Sequence, residues 1–210
     1  MRIFNKIYFM ETFTKELQDK TSPDAAIDRL KKGNKRFIDK AISQRDFMSQ
    51  VGQTSVGQFP FAAILSCIDS RVPAELVFDQ GIGDVFNVRV AGNIVNEDVL
   101  GSLEYSCKVA GSKVIVVLGH TKCGAVTAAC NHVELGNITH LLSKIQPAVT
   151  MALKGEADAE SIEQVALKNI ELSIEKIREE SPILAEMEAN DEIKIVGAVY
   201  DVATGVVCFF

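Results

Sequence analysis

The acidic balance of this 210-residue chain, with a formal net charge of −6 at pH 7 and no basic stripe, argues against a nucleic-acid partner. No apolar run approaches the roughly 20 residues that a membrane span requires, and the five cysteines form no regular disulfide framework. The length and a hydrophobic fraction of 47% instead indicate one globular domain with a sizeable core.

The N-terminal segment, residues 1–21, is expected to be a loose arm with some helix. It lacks the long apolar region and the small-residue cleavage site of a secretory signal, so we expect a cytoplasmic protein. Either Met1 or Met10 could be the first residue of the natural chain. A single domain is predicted to follow over residues 22–210, because no linker, repeat or low-complexity tract interrupts it.

The domain is predicted to begin with a helix. Ser22 is a suitable N-cap, and Pro23 and Asp24 suit the first turn of a helix. The polar and glycine-containing segment 41–57 has no clear period, so we predict a loop there.

Strands and helices alternate through the rest of the domain. Short apolar, β-branched runs predict strands, and longer segments with an apolar face predict helices. The predicted strands cover residues 61–65, 84–90, 113–119, 193–201 and 206–210, and the predicted helices cover residues 72–78, 97–110, 124–133, 138–153 (interrupted near Pro147), 159–180 and 182–189. This alternation predicts an α/β fold in which a central, mostly parallel sheet, with four parallel strands plus an antiparallel edge strand, is flanked by helices.

Polar and metal-binding side chains follow two of the predicted strands. The first strand is followed by Cys67, Asp69 and Arg71, which alternate along an extended chain and so point the same way. The third strand is followed by His120 and Cys123. Because α/β sheets bind ligands in the crevice at the carboxyl ends of their strands, we expect these side chains to meet there.

Thiolate and imidazole are preferred zinc ligands, so Cys67, His120 and Cys123 form a candidate site for one Zn²⁺ per chain. Three strong ligands leave the fourth position for water or for Asp69, and an open position is typical of a catalytic zinc. Taken alone, each residue has a simpler interpretation as a buried thiol or a capping histidine, but their combination favours a metal. The remaining cysteines are expected to pack as small hydrophobic side chains: Cys107, Cys130 and Cys208.

The segments that carry these residues, Cys67–Arg71 and His120–Gly124, closely resemble the two metal motifs of the β-class carbonic anhydrases. The stretches Gly83–Arg89 and Ala91–Val95 are similar to the segment between those motifs. The resemblance implies that zinc is held by two cysteines and one histidine. It also implies reversible hydration of carbon dioxide to bicarbonate and a proton, by attack of zinc-bound hydroxide.

The same resemblance implies roles for further residues. Asp69 and Arg71 are implied to pair as a dyad that orients the attacking hydroxide, and in some members the aspartate moves onto the zinc in an inactive form. Four residues match substrate-pocket positions: Gln58, Phe86, Tyr105 and Gly124. The family completes this pocket across a subunit interface, so a homodimer or a dimer of dimers with the active site at the dimer interface is implied.

One subgroup of that family is inhibited by bicarbonate and carries a tryptophan three residues before the first cysteine. This chain has Ile64 at that place, and Gln58 in its Gln-x-Pro setting resembles the plant-type subgroup. We therefore expect an open site with water as the fourth ligand near neutral pH.

Two alternatives to carbon dioxide hydration remain open. One keeps the fold and the zinc but hydrolyses carbon disulfide or carbonyl sulfide, as proteins related to this family do. The other is a non-catalytic zinc protein that serves structure or redox sensing through Cys67 and Cys123, which predicts a closed four-ligand site and no hydratase activity.

Overall fold

The structure, a computed structural model, describes residues 12–210. Met1 and Met10, the two candidate first residues, lie outside that range. The helices are α1 (Lys15–Lys20), α2 (Pro23–Ile38), α3 (Phe47–Thr54), α4 (Ala74–Val77), α5 (Glu97–Glu104), α6 (Gly124–Cys130), α7 (Gly136–Ser143), α8 (Gln146–Ala152), α9 (Ala159–Glu180) and α10 (Pro182–Ala189). The strands are β1 (Ala62–Ser66), β2 (Val85–Arg89), β3 (Val114–His120), β4 (Lys194–Tyr200) and β5 (Val207–Phe209). Among these helices, none is long and apolar enough to cross a membrane.

The strands form one five-stranded sheet in the order β2-β1-β3-β4-β5. The first four strands run parallel, and β5 pairs antiparallel with β4 at one edge. Every residue of β1 and β3 is buried, as expected for central parallel strands that are covered on both faces. One face packs against α2 and α4, and the other packs against α5, α9 and α10. The predicted α/β fold is therefore confirmed.

Most predicted helices also form, and α9 and α10 have the predicted bounds. The helix predicted over residues 97–110 begins as α5 and continues as a π-helix over Tyr105–Val109. The helix predicted over residues 138–153 is divided into α7 and α8, and Pro147 lies in the first turn of α8. Proline is tolerated in a first turn because its missing N–H would have no intrahelical partner there.

The predicted loop over residues 41–57 is wrong, because α3 forms within it. The Asp46 side chain accepts a hydrogen bond from the Ser49 backbone N–H and so caps the helix. Within α3, all of which is described, the buried side chain is that of Gln50, whereas Phe47 and Met48 are exposed. An amphipathic period does not reveal such a helix, because its apolar residues face outward.

The described part of the N-terminal arm packs against the domain. Phe13 is buried, and its ring lies 5.1 Å from the Phe61 ring. Gln18 is also buried, and its Nε2 donates hydrogen bonds of 2.8 Å to the carbonyl oxygens of Pro60 and Ala110. Phe13 and Gln18 therefore take part in the core, which the sequence pattern does not indicate. The division between arm and domain at residue 22 stays a prediction.

Candidate metal centre

The site forms at the carboxyl edge of the two central strands. In the parallel register, Ser66 of β1 lies opposite Leu118 of β3. Cys67, which follows β1, and His120, the last residue of β3, therefore lie at the same edge of the sheet. Cys123 follows at the N-cap of α6. The potential ligand atoms of Cys67, His120 and Cys123 all lie within 4.8 Å of one another, and all three residues are buried. Strand register and a short loop thus bring together residues that are far apart in sequence.

The hydrogen bonding of His120 fits a metal ligand. Its Nδ1 lies 2.9 Å from the Thr121 carbonyl oxygen, so Nδ1 carries the proton and donates it there. Nε2 then holds the lone pair, and this buried atom makes no hydrogen bond with any described residue. A buried polar atom without a partner is costly unless a ligand satisfies it. An unprotonated imidazole nitrogen together with two cysteine sulfurs is a set of metal ligands that fits zinc.

The two sulfurs have different proton affinities. A hydrogen bond from Cys123 outweighs burial and lowers the pKa of the Cys67 thiol to about 4. The same hydrogen bond, with burial, raises the pKa of Cys123. For His120, burial opposes the charged imidazolium, but the nearby Cys67 sulfur outweighs it and raises the pKa. Of the two thiols, Cys67 therefore takes the metal-binding thiolate form more readily, and metal binding at Cys123 releases a proton.

Asp69 lies beside the cluster and is held by Arg71. Its Oδ1 accepts hydrogen bonds of 2.9 Å from both the backbone N–H and Nε of Arg71, and its Oδ2 accepts one of 2.8 Å from the guanidinium. These bonds hold the pKa of Asp69 well below its usual range. Oδ2 lies 3.9 Å from Nε2 of His120. An ionised carboxylate is thus fixed at the edge of the candidate metal site.

Comparisons with known proteins identify the family. A model of the family described as carbonic anhydrase matches residues 62–207, which include the whole cluster. This chain belongs to that family. It is 35% identical to carbonic anhydrase 2 of Mycobacterium tuberculosis, over 88% of this chain and 91% of the relative.

Solved structures identify the β-class of the family. A Coccomyxa β-carbonic anhydrase, solved in complex with acetazolamide, is 26% identical and superposes with a TM-score of 0.69 over 76% of this chain and 75% of that one. A tetrameric β-carbonic anhydrase of Sordaria macrospora shares the fold at 23% identity, with a TM-score of 0.70 over 78% of this chain and 90% of that one. The chain is thus a β-class member of the carbonic anhydrase family.

Two residues of this carbonic anhydrase family member contact the cluster without having been assigned a role from sequence. Arg89 donates hydrogen bonds to the carbonyl oxygens of Cys67, at 3.0 Å, and Asp69, at 2.6 Å. The Gly92 backbone N–H donates to the Cys67 sulfur at 3.3 Å. Arg89 is the last residue of β2 and lies at the same edge of the sheet. This strand-end position is the sequence signal from which its role could have been predicted. Gly92 has φ +70°, and a Cβ there would lie 2.6 Å from Ile145, so both its conformation and its packing require glycine.

Three of the four predicted substrate-pocket residues are exposed in the single chain, and Phe86 is half-buried. Phe86 and Tyr105 meet edge to face with ring centroids 6.1 Å apart, and they line a groove of about 720 Å³ that also includes Arg89. Gln58 is exposed shortly before β1. Gly124 is exposed at the start of α6, and a Cβ there would meet nothing within 4 Å. The cluster residues do not line this groove, so the substrate roles of these four residues stay predictions.

Proposed function

We propose that this member of the carbonic anhydrase family hydrates carbon dioxide reversibly to bicarbonate and a proton. One Zn²⁺ per chain would be held by Cys67, His120 and Cys123. The observation that carries the proposal is the buried Cys-His-Cys cluster with a carboxylate oxygen of Asp69 only 3.9 Å from His120 Nε2. The cluster supplies three donors, and the neighbouring carboxylate supplies an acceptor for a reacting water.

When bound, zinc supplies a Lewis acid that lowers the pKa of a bound water from about 15.7 towards neutrality. Cys67 and Cys123, as thiolates, balance the two positive charges of the ion. Zinc held by these thiolates should therefore lower the pKa of the bound water less than zinc held by neutral histidines does. We expect activity that rises with pH into the alkaline range.

Arg71 keeps Asp69 in the form that this chemistry needs. The guanidinium presents two donors to the carboxylate in a fixed planar fork, which keeps the carboxylate ionised and engages both of its oxygens. Asp69 can then accept a hydrogen bond from the reacting water and aim its lone pair at carbon dioxide. This arrangement supports an open site, with water rather than Asp69 as the fourth ligand.

The proposal includes an assembly of at least two chains. In one chain Gln58 and Tyr105 are exposed and Phe86 is half-buried. Carbon dioxide requires an apolar wall, and a second chain would bring these residues next to the cluster and Gly124 to form it. The tetrameric assembly of the Sordaria macrospora protein supports this proposal only to the extent that the same fold can form such assemblies. A cytoplasmic location also stays a prediction.

The test is stopped-flow hydration of carbon dioxide at about pH 7 and about pH 8.5, with zinc content and assembly size measured on the same preparation. Fast turnover that rises with pH, with about one zinc per chain, is the expected result. Full zinc without hydration at either pH would contradict the proposal and favour a non-catalytic zinc protein. Hydrolysis of carbon disulfide or carbonyl sulfide in place of hydration would identify the other alternative.

A further inference from the structure

The short loop between His120 and Cys123 has a strained backbone. Lys122 adopts φ +55°, the left-handed region that residues with a Cβ rarely enter. Such a conformation persists only where surrounding contacts hold it. The Thr121 N–H donates to the Tyr200 carbonyl oxygen at 3.0 Å, which fixes the start of the loop to β4. Another contact must hold Lys122 itself.

Glu163 of α9 makes that contact. Its Oε1 accepts a hydrogen bond from the Lys122 backbone N–H at 2.7 Å. A bond from an N–H to a carboxylate is charge-assisted and stronger than a bond between neutral groups. Glu163 is half-buried and Lys122 is exposed, so the bond lies at the protein surface. It ties the strained residue of the loop to the longest helix described.

From Lys122 the contacts continue to the Asp69–Arg71 pair. The Arg71 guanidinium donates to the Lys122 carbonyl oxygen at 3.3 Å and to Asp69 Oδ2 at 2.8 Å through the same nitrogen. The Arg71 side chain is 49% exposed, so hydrogen bonds rather than close packing fix its direction. The position of the Lys122 carbonyl therefore influences how Arg71 meets the carboxylate.

Helix α9 is well anchored to serve as a support. Val165 and Ile170 of α9 are fully buried. Asn169, also buried, donates to the Gly92 carbonyl oxygen at 2.8 Å, and the N–H of the same glycine contacts the Cys67 sulfur. One helix thus contacts the loop that carries His120 and Cys123, and also the turn that contacts Cys67.

We propose that Glu163 is a positioning residue for the Asp69–Arg71 pair. It holds Lys122 in the left-handed conformation, the Lys122 carbonyl directs the Arg71 guanidinium, and Arg71 keeps Asp69 in place. The inference rests on the proposed hydration of carbon dioxide, since it assigns Glu163 to that reaction. In this proposal Glu163 acts through the Lys122 backbone and Arg71, so it is not a catalytic residue.

The experiment compares Glu163→Ala with Glu160→Ala, an exposed glutamate one turn earlier on the same helix. We expect Glu163→Ala to lower kcat by about tenfold, the value of one hydrogen bond to a charged group, with KM and zinc content unchanged. Glu163→Gln retains an acceptor oxygen and should recover most of the loss, and Glu160→Ala should behave as the wild type. Equal kcat for Glu163→Ala and Glu160→Ala would overturn the proposal.

A double-mutant cycle tests the route through Arg71. If Glu163 acts by positioning that guanidinium, Glu163→Ala should cause no further loss of kcat in the Arg71→Ala background. Losses that multiply would mean that Glu163 acts by another path, and they would contradict the proposed one.

Amide hydrogen exchange gives a readout that does not depend on activity. The Lys122 N–H should exchange faster in Glu163→Ala than in the wild type or in Glu160→Ala, because its acceptor is lost. Unchanged exchange would overturn the positioning role. If the wild type hydrates no carbon dioxide, the proposed function fails, whereas the exchange result still decides whether Glu163 holds Lys122.

Discussion

Two clusters of buried polar groups in this protein differ in how well their atoms are satisfied. Around Asp79, which is 3% exposed, both carboxylate oxygens accept hydrogen bonds, from Arg45, Arg36 and the Ser43 hydroxyl. At the carboxyl edge of β1 and β3, by contrast, His120 Nε2 is buried without a partner among the described residues. Both clusters lie next to the same sheet, but protein groups bind both oxygens of the Asp79 carboxylate, whereas none of the described residues forms a hydrogen bond with His120 Nε2.

This difference separates a structural role from a ligand-binding one. Burial opposes the ionisation of Asp79, but hydrogen bonds from Arg45 and Arg36 outweigh it and lower its pKa, so the carboxylate is paired inside the protein. In the cluster at Cys67, His120 Nε2 is left without a hydrogen bond from the described residues and can bind an external group. Buried charge alone therefore does not identify a site, whereas three potential ligand atoms within 4.8 Å of one another, one of them without a hydrogen bond, indicate one.

Substitution at the metal cluster should have the largest effect. Cys123→Ser removes one sulfur from a three-residue donor set, so we expect most of the zinc to be lost and hydration to fall on the order of a thousandfold. Zinc per chain and stopped-flow rates on one preparation measure both. Cys208 of β5 is exposed, so the prediction that it packs in the core is wrong. Cys208→Ser is therefore the matched control and should keep the zinc. If Cys123→Ser kept its full zinc content, Cys123 would not be a required ligand, and the distinction between a ligand-binding and a structural cluster would be lost.

The Asp69–Arg71 pair should show a smaller effect, confined to turnover. Arg71→Ala leaves Asp69 without its two guanidinium donors, so we expect kcat to fall by about a hundredfold while zinc content stays near one per chain. The measurement is kcat together with metal analysis.

The Arg178–Glu188 pair provides the control for that variant, because it is also two-pronged, with bonds of 2.7 and 2.9 Å. Arg178→Ala should leave turnover unchanged. If Arg71→Ala lost zinc and activity in equal proportion, the pair would serve structure alone.

Substitution at the Asp79 cluster should affect stability and leave the chemistry intact. Asp79→Asn preserves the shape of the side chain and tolerates the positive φ of +47°, but it removes the charge that two arginines face. We expect the free energy of unfolding to fall by about 3 kcal/mol, with zinc content and kcat of the folded protein unchanged. Urea unfolding at neutral pH measures the change.

The pH dependence of that loss has a definite sign. The folded-state pKa of Asp79 lies below its unfolded value of about 3.9, so its stabilisation is present above that pH and is lost as the pH falls through the folded pKa. The difference in unfolding free energy between the wild type and Asp79→Asn should therefore shrink in acid. A difference that stays constant down to about pH 2 would show that charge is not its origin.

Much of the fold could be predicted from sequence, because burial leaves a regular pattern. The continuous apolar runs of β1 and β3 and the 3.6-residue period of α9 each report the surface that the element buries. Helix α3 was missed because it buries Gln50 and exposes Phe47. The packing of Phe13 and Gln18 was missed because single residues in a polar segment form no period.

For the site, the sequence by itself determined which metal-binding and charged side chains follow the ends of two strands: Cys67, Asp69, Arg71, His120 and Cys123. Parallel pairing places such strand ends at one edge of the sheet, but only the structure shows that β1 and β3 are neighbours there. Only the tertiary structure decided how that edge is supported. Glu163 and Lys122 are separated by 41 residues, and Asn169 and Gly92 by 77. Each of these contacts joins a side chain to a backbone group. Their geometry depends on how the helices pack on the sheet, so residue spacing does not predict them.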